Sequence, residues 1–273
     1  MQHTLRSLAV LLVLATGGVL MLAALQKQLI FFPDRSSEAE LLPRAAGLGL
    51  EPWRIDGERV GWRRDGSAAG PRMLVFHGNA GQALDRGYYL PPLAAFDPPF
   101  EVLLFEYPGY GSRPGEPSAQ SLKDAAAAAL ASLAPADSRP LYLLGESLGS
   151  GVACHLARVA PQRLAGLLLV TPFTRLADVA AHHYPGLPVR QLLSERFDCV
   201  EDLARFPGPV AFLLAGRDEV VPRTLGQTLY DGYRGRKWLH VQQEAGHNSL
   251  DLSPHAAWWR ELKAFLRGEG HHE

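Results

Sequence analysis

Six short apolar runs mark out the body of this chain: Met73–Phe76, Val102–Phe105, Leu141–Leu144, Leu164–Val170, Val210–Leu214 and Trp238–Val241. They are continuous and not evenly alternating, as befits strands buried on both faces. Stretches of helical spacing separate them. That alternation predicts an α/β fold, with a mostly parallel central sheet and helices on both faces. Two earlier pieces, Trp53–Ile55 and Arg59–Arg64, have no helix between them and read as an antiparallel entry to the sheet. Ser121 and Asp124 have capping-box spacing ahead of an Ala/Leu run that Pro135 stops. Ser253-Pro254 reads as an N-cap followed by a first-turn proline. The stretch 174–206 is too long for a plain connection, and its helical pieces break at Pro185 and Pro188, so it reads as an inserted helical cap.

The amino terminus differs in kind. Between Arg6 and Lys27 lie twenty uncharged residues, Ser7 to Gln26. As a helix they cover about 30 Å, one hydrocarbon thickness. Residues 1–27 therefore read as a single transmembrane anchor, with a cleavable signal peptide and a buried soluble helix as the other readings. Arg6 precedes the run and Lys27, Arg35 and Arg44 follow it, so counting positive charges does not orient it. Residues 28–273 are expected to form one catalytic domain, a length that α/β folds fill with a single core.

Charge and cysteine count narrow the classes. With 27 Lys+Arg against 28 Asp+Glu, nothing in the balance favours nucleic acid. Two Cys make neither a disulfide framework nor a zinc or redox spacing. Cys154 reads as a small packing residue and Cys199 as part of the cap. His182-His183 and His271-His272 are adjacent pairs, which share no helix face for chelation. They read as polar surface, and no metal or cofactor is expected.

Reactive residue types gather at strand ends. Directly after the run LYLLGE the chain reads Gly145-Glu146-Ser147-Leu148-Gly149, a G-x-S-x-G motif between a strand and a small-residue helix. A strand that turns at once into a helix forces its serine into a strained conformation, and side chains two residues to either side would collide. Glycines relieve the clash and leave the hydroxyl at a helix N-terminus, where the dipole favours a developing anion. A serine needs a base, and the base an acid to orient it. Asp218 follows one later strand and His247 another, giving the chain order Ser147, Asp218, His247. Glu219 and Glu244 are the alternative acids. For an oxyanion hole, the N–H of Leu148 is one donor. The loop His77-Gly78-Asn79-Ala80-Gly81 supplies the other at Asn79, with Ala80 as the fallback. His77 reads as structural, because His247 already fills the base role. Tyr107, Tyr110, Phe173 and Tyr184 are candidates to border the pocket or to pack beside it.

From about Gln28 to the C-terminus, the pieces LIFFPD, VFHGNAG, FEYPGYG, LLGESLGSG, TPF, LLAGRDEVVP and EAGHNSL together resemble the α/β-hydrolase superfamily. The resemblance is to its membrane-anchored branch of bud-emergence-type hydrolases and mammalian protein depalmitoylases. It implies hydrolysis of an ester, thioester or amide through an acyl-enzyme, without metal or organic cofactor. The Arg-Pro in GYGSRPGEPS departs from many relatives. A serine peptidase or amidase on the same fold, and a silent binding protein, are the alternatives. The expected partners are a small or lipid-like acyl ester or thioester and, through the anchor, a membrane. Leu176, Val179, Tyr184, Leu187, Val189, Leu192 and Leu193 of the cap are candidates for an acyl-pocket wall.

Overall fold

The computed structural model describes residues 17, 18, 25–133 and 137–268. In chain order its strands are β1 (Phe32–Pro33), β2 (Glu51–Ile55), β3 (Glu58–Arg64), β4 (Arg72–Phe76), β5 (Ala80–Gly81), β6 (Glu101–Phe105), β7 (Leu141–Glu146), β8 (Gly166–Val170), β9 (Val210–Ala215) and β10 (Lys237–Gln242). Eight of them form one sheet in the order β10-β9-β8-β7-β4-β6-β3-β2. From β6 to β10 every pairing is parallel, and β3 and β2 join antiparallel at one edge, as their missing connecting helix implied.

Burial on both faces explains the continuous apolar runs. Leu74, Phe76, Leu103, Phe105, Leu143, Leu167, Leu169 and Phe212 enter one core, with the helices Ala119–Ser132 and Leu148–Val159. Met73, Val75, Val102, Leu104, Leu144, Leu168 and Leu213 enter the other, with the helices Glu38–Gly47 and Trp258–Arg267. Each buried Leu or Phe is worth about 1.5–3 kcal/mol, so both faces must be covered before the sheet is stable.

Strand order then fixes where chemistry can occur. β4 lies between β6 and β7, so the chain leaves β4 toward one side of the sheet and later leaves β7 toward the other. The crevice beyond the carboxyl ends of two such strands is where open α/β sheets bind ligands. Phe76 pairs with Gly145 there, which places the loop after β4 against the turn after β7.

Several local expectations are corrected. The Ala-rich helix starts earlier than Ser121, because Ser118 is its N-cap. The Ser118 hydroxyl accepts from the Ser121 N–H at 3.0 Å, and the Ser121 hydroxyl from the Ser118 N–H at 2.9 Å. Ser121 thus does the reciprocal work usually left to Glu or Gln. The last helix begins at Trp258, not at Ser253-Pro254, because the Asp251 carboxylate takes the Ser253 N–H at 3.0 Å and turns the chain first. β8 begins at Gly166, since Leu164 still bonds back to Pro161 at 3.3 Å.

The inserted cap has three helical pieces, Leu176–His183, Val189–Leu192 and Cys199–Leu203. The first two flank Pro185 and Pro188. At its base, the Cys199 N–H donates to Thr174 O at 2.9 Å and Arg175 pairs with Asp198 at 2.7 Å, so the insertion leaves and rejoins the core at one point. The expected transmembrane run falls almost wholly outside the described residues. Among the described residues, no helix is long and apolar enough to cross a membrane. His271 and His272 also lie outside them.

Candidate active site

The turn after β7 carries the strain that its sequence implied. Ser147 sits at φ 51°, ψ −117°, a conformation that L-residues rarely adopt. Its N–H donates to Val170 O at 2.8 Å, and its carbonyl accepts from the Ser150 hydroxyl at 2.6 Å. A side chain at Gly145 would bring a Cβ within 2.5 Å of Gly149 O, and one at Gly149 within 2.2 Å of Phe76 O. Both glycines are therefore required by backbone approach. Leu148 is the first residue of the following helix, where an N–H has no acceptor within the helix.

Three strand ends bring three side chains together. His247 Nε2 lies 3.1 Å from Ser147 Oγ, and His247 Nδ1 lies 2.8 Å from Asp218 Oδ2. Asp218 Oδ1 also accepts the N–H groups of Val220 and Val221 at 2.9 and 2.7 Å. That backbone anchoring aims the carboxylate at the imidazole. Neither alternative acid takes this place: Glu244 pairs with Arg217 on the surface, and Glu219 lies beside Gly246.

On the opposite side, the loop after β4 is braced through its own backbone. Asn79 O accepts from the Tyr110 hydroxyl at 2.7 Å and from the Phe32 N–H at 2.9 Å, and the Asn79 side chain donates to Ile30 O at 2.9 Å. His77 is buried, with Nε2 3.3 Å from the buried Glu106 carboxylate and its ring against Tyr107 and Tyr110. It takes a structural place, beneath the loop. Tyr107 and Tyr110 are likewise packed in the core, whereas Phe173 and Tyr184 border the cavity.

That cavity, about 510 Å³, has Ser147, Leu148 and Asn79 on its floor. Its volume falls within the roughly 300–1,000 Å³ usual for small-molecule sites. All seven apolar cap residues named from the sequence line it: Leu176, Val179, Tyr184, Leu187, Val189, Leu192 and Leu193. Sequence reading missed the other wall, made by Gln26, Leu29, Ile30 and Phe32 from the segment leading into β1. Phe32 pairs with Ala80 in a small parallel sheet, β1 against β5. The LIFFPD match was the only sign of it, since such a pairing has no local sequence pattern.

A second feature was also missed. Glu146, inside the G-x-S-x-G motif, is held by Arg86 at 2.9 Å, by the Tyr89 hydroxyl at 3.0 Å and by the Tyr88 hydroxyl. Burial works against its charge, but Arg86 and the two hydroxyls outweigh that and hold the carboxyl below its ordinary range. The pair packs behind Gly78 and ties the two site loops together. Cys154 and Cys199 are both free and buried, with the Cys154 thiol beside that of Cys199.

A sheet of this order with a strained serine at its crevice defines a class, and comparison with known proteins agrees. Residues 71–198 match the family model described as alpha/beta hydrolase fold. The chain is 34% identical over 267 residues to an uncharacterized protein of Mycobacterium tuberculosis H37Rv, covering 94% of this chain and 93% of that one. It is 30% identical to protein bem46 of Schizosaccharomyces pombe, over 67% of this chain and 63% of that protein. It is also 30% identical to the lysophosphatidylserine lipase ABHD12 of Danio rerio, over 68% of this chain and 53% of that protein. The Pyrococcus furiosus esterase Pf2001 superposes with a TM-score of 0.64 at 18% identity, over 88% of this chain and 97% of that one. The chain belongs to the alpha/beta hydrolase fold family, and these kinships support a hydrolase.

Proposed function

We propose that the chain is a serine hydrolase that cleaves carboxylic esters or thioesters of greasy acyl groups through an acyl-enzyme. One observation carries this reading: Ser147, with His247 at 3.1 Å, stands on the floor of an apolar cavity large enough for an acyl chain. The lipase name of one relative points the same way.

In the proposed reaction, Ser147 Oγ attacks the acyl carbon while His247 Nε2 takes the hydroxyl proton. Asp218 holds the imidazole in the required orientation and stabilises the imidazolium that forms. The N–H groups of Leu148 and Asn79 hold the oxyanion, a contribution typically worth about 3–4 kcal/mol per donor. Collapse of the tetrahedral intermediate expels the alcohol or thiol, which leaves with the proton returned by His247. Water, deprotonated by the same imidazole, then attacks the acyl-serine, and Ser147 regains its proton as the acid departs. No metal or organic cofactor enters these steps. Residues 1–27 are proposed to anchor the catalytic domain to a membrane, on the strength of the uncharged run Ser7 to Gln26.

The test is a series of p-nitrophenyl esters from acetate to palmitate, with a matching acyl thioester. The expected result is a kcat/KM that rises with chain length, by up to about 0.8 kcal/mol per CH₂ buried in the cavity. A maximum at acetate, declining with length, would reject greasy acyl groups as the substrate class.

A further inference from the structure

Isolated apolar side chains on a protein surface are ordinary, and their gathering around one opening is not. Ten large apolar side chains stand exposed among the described residues. Four of them, Leu29, Phe32, Tyr184 and Leu187, also line the Ser147 cavity, which places them at its rim. Leu25, a fifth, lies one helical turn before Leu29 on the same face. Phe32 is 51% exposed and Leu29 45%, a large share for side chains that also line a cavity.

The rim is tied together from both sides. The Gln26 side chain accepts the Ser194 N–H, just after the second cap helix, at 2.7 Å. The Asn79 side chain donates to Ile30 O and the Phe32 N–H donates to Asn79 O, both at 2.9 Å. The segment from Gln26 to Phe32 is thereby bound to the cap at one end and to the cavity floor at the other. In the sequence, the uncharged run Ser7 to Gln26 arrives at this same segment. The point where the proposed anchor meets the domain and the mouth of the cavity are one place.

We infer that this rim docks into the apolar boundary of a lipid bilayer, so that the cavity opens onto the membrane. An acyl chain of a bilayer-resident ester or thioester then passes to Ser147 along Leu29 and Phe32 without crossing water, and its polar leaving group stays at the interface. The inference rests on the anchoring and acyl-hydrolase reading above and adds to it an orientation: the cap lies against the membrane, although it is some 160 residues from the anchor in sequence. An anchor on a loose tether would impose no such contact.

The experiment uses the full chain in phosphatidylcholine vesicles. Pro185→Cys, at the exposed turn between Tyr184 and Leu187 and outside the cavity lining, carries a nitrobenzoxadiazole label. Ala68→Cys, in the exposed turn between β3 and β4 at the amino ends of the parallel strands, is the reference. Both natural cysteines are buried, and the unsubstituted chain sets the labelling background. Reaction of each labelled chain with a fluorophosphonate shows that its fold is intact. The expected result is that lipid bearing a nitroxide near the headgroup removes about half or more of the Pro185 emission and little of the Ala68 emission. Equal quenching at both positions, or none at Pro185, overturns the inference. A Pro185 emission that shifts to the blue without lipid quenching also overturns it, and assigns the rim to a second copy of the chain. If the chain leaves the vesicles in carbonate, the anchor fails together with the docking. If it stays and Pro185 is unquenched, only the docking fails.

Discussion

The corner around Ser147 and the cap meet at one cavity and are built in opposite ways. At the corner, placement starts from backbone: a strained turn sets Ser147 and two N–H groups set Asp218, which in turn orients His247. Above its base, the cap is held by side chains. Its helices Leu176–His183 and Val189–Leu192 contain no buried residue. They are held by Thr174 to Asp178 at 2.6 Å, Arg190 to Asp178 at 2.9 Å and His183 Nε2 to Val220 O at 2.7 Å. Backbone constraints change little when side chains vary, whereas exposed ion pairs are worth only about 0–1 kcal/mol each. Under the proposed function, that difference would leave bond cleavage to the corner and choice of substrate to the cap and the segment before β1.

Substitutions at the corner should therefore cost the most. Ser147→Ala is expected to lower kcat by about 10⁴–10⁶-fold while the urea midpoint stays in place. Asp218→Asn keeps the geometry but loses the charge beside His247, and should lower kcat by about 10⁴-fold. Glu219→Gln in parallel should change kcat by less than about threefold, and the reverse ranking would move the acid by one residue. Gly149→Ala would place a Cβ at 2.2 Å from Phe76 O. Its expected cost is about 3 kcal/mol of stability, measured in urea, together with most of the activity.

Substitutions at the cap should divide activity by substrate and spare the chemistry. Filling the cavity with Val179→Phe is expected to lower kcat/KM for palmitate by about 10–100-fold and leave acetate within about twofold. Equal losses on both esters would mean that the cap serves the corner and does not select. On the same grounds, a chain beginning at Leu25 keeps the wall from Gln26 to Phe32, and one beginning at Asp34 lacks it. The shorter chain should lose about tenfold on long esters relative to the longer one.

The smallest effect belongs to the core side alone. His155, on the helix that follows Ser147, is shifted down to about 4 by burial and by the nearby Lys123 and Arg158. The unfolded chain, at about 6.5, takes up this proton first as pH falls. Its contribution is thus complete above about pH 6.5 and is lost progressively as the pH drops toward 4. The partly exposed setting reduces the expected loss to about 1–2 kcal/mol. Denaturant midpoints across that range should fall less in His155→Gln.

What the sequence made legible follows the same division. The strands of the sheet were readable because burial on both faces writes unbroken apolar runs, and the glycines around Ser147 because a backbone clash admits nothing larger. Asp218 and His247 could be singled out as candidates because each lies in the short loop beyond the end of such a run. The cap lining was readable from the apolar residues of the insertion. The pairing of β1 with β5 was not, because two-residue strands carry no pattern and their partners lie far apart. Arg86 behind Glu146 was missed for a related reason: an ion pair between distant loops leaves no spacing to find. The helix starts at Ser118 and Trp258 were misplaced because several Ser and Asp residues competed for each cap, and tertiary hydrogen bonds chose among them.

Acylation of Ser147, on which the proposed function depends, can be read directly. The full chain in detergent is treated with a long-chain alkyl fluorophosphonate and analysed by intact mass, then by peptide mass. A single adduct is expected, on the peptide containing Gly145 to Gly149, that is absent in Ser147→Ala and prevented by prior incubation with a long-chain ester. No adduct on the folded chain, or an adduct that persists in Ser147→Ala, would contradict it.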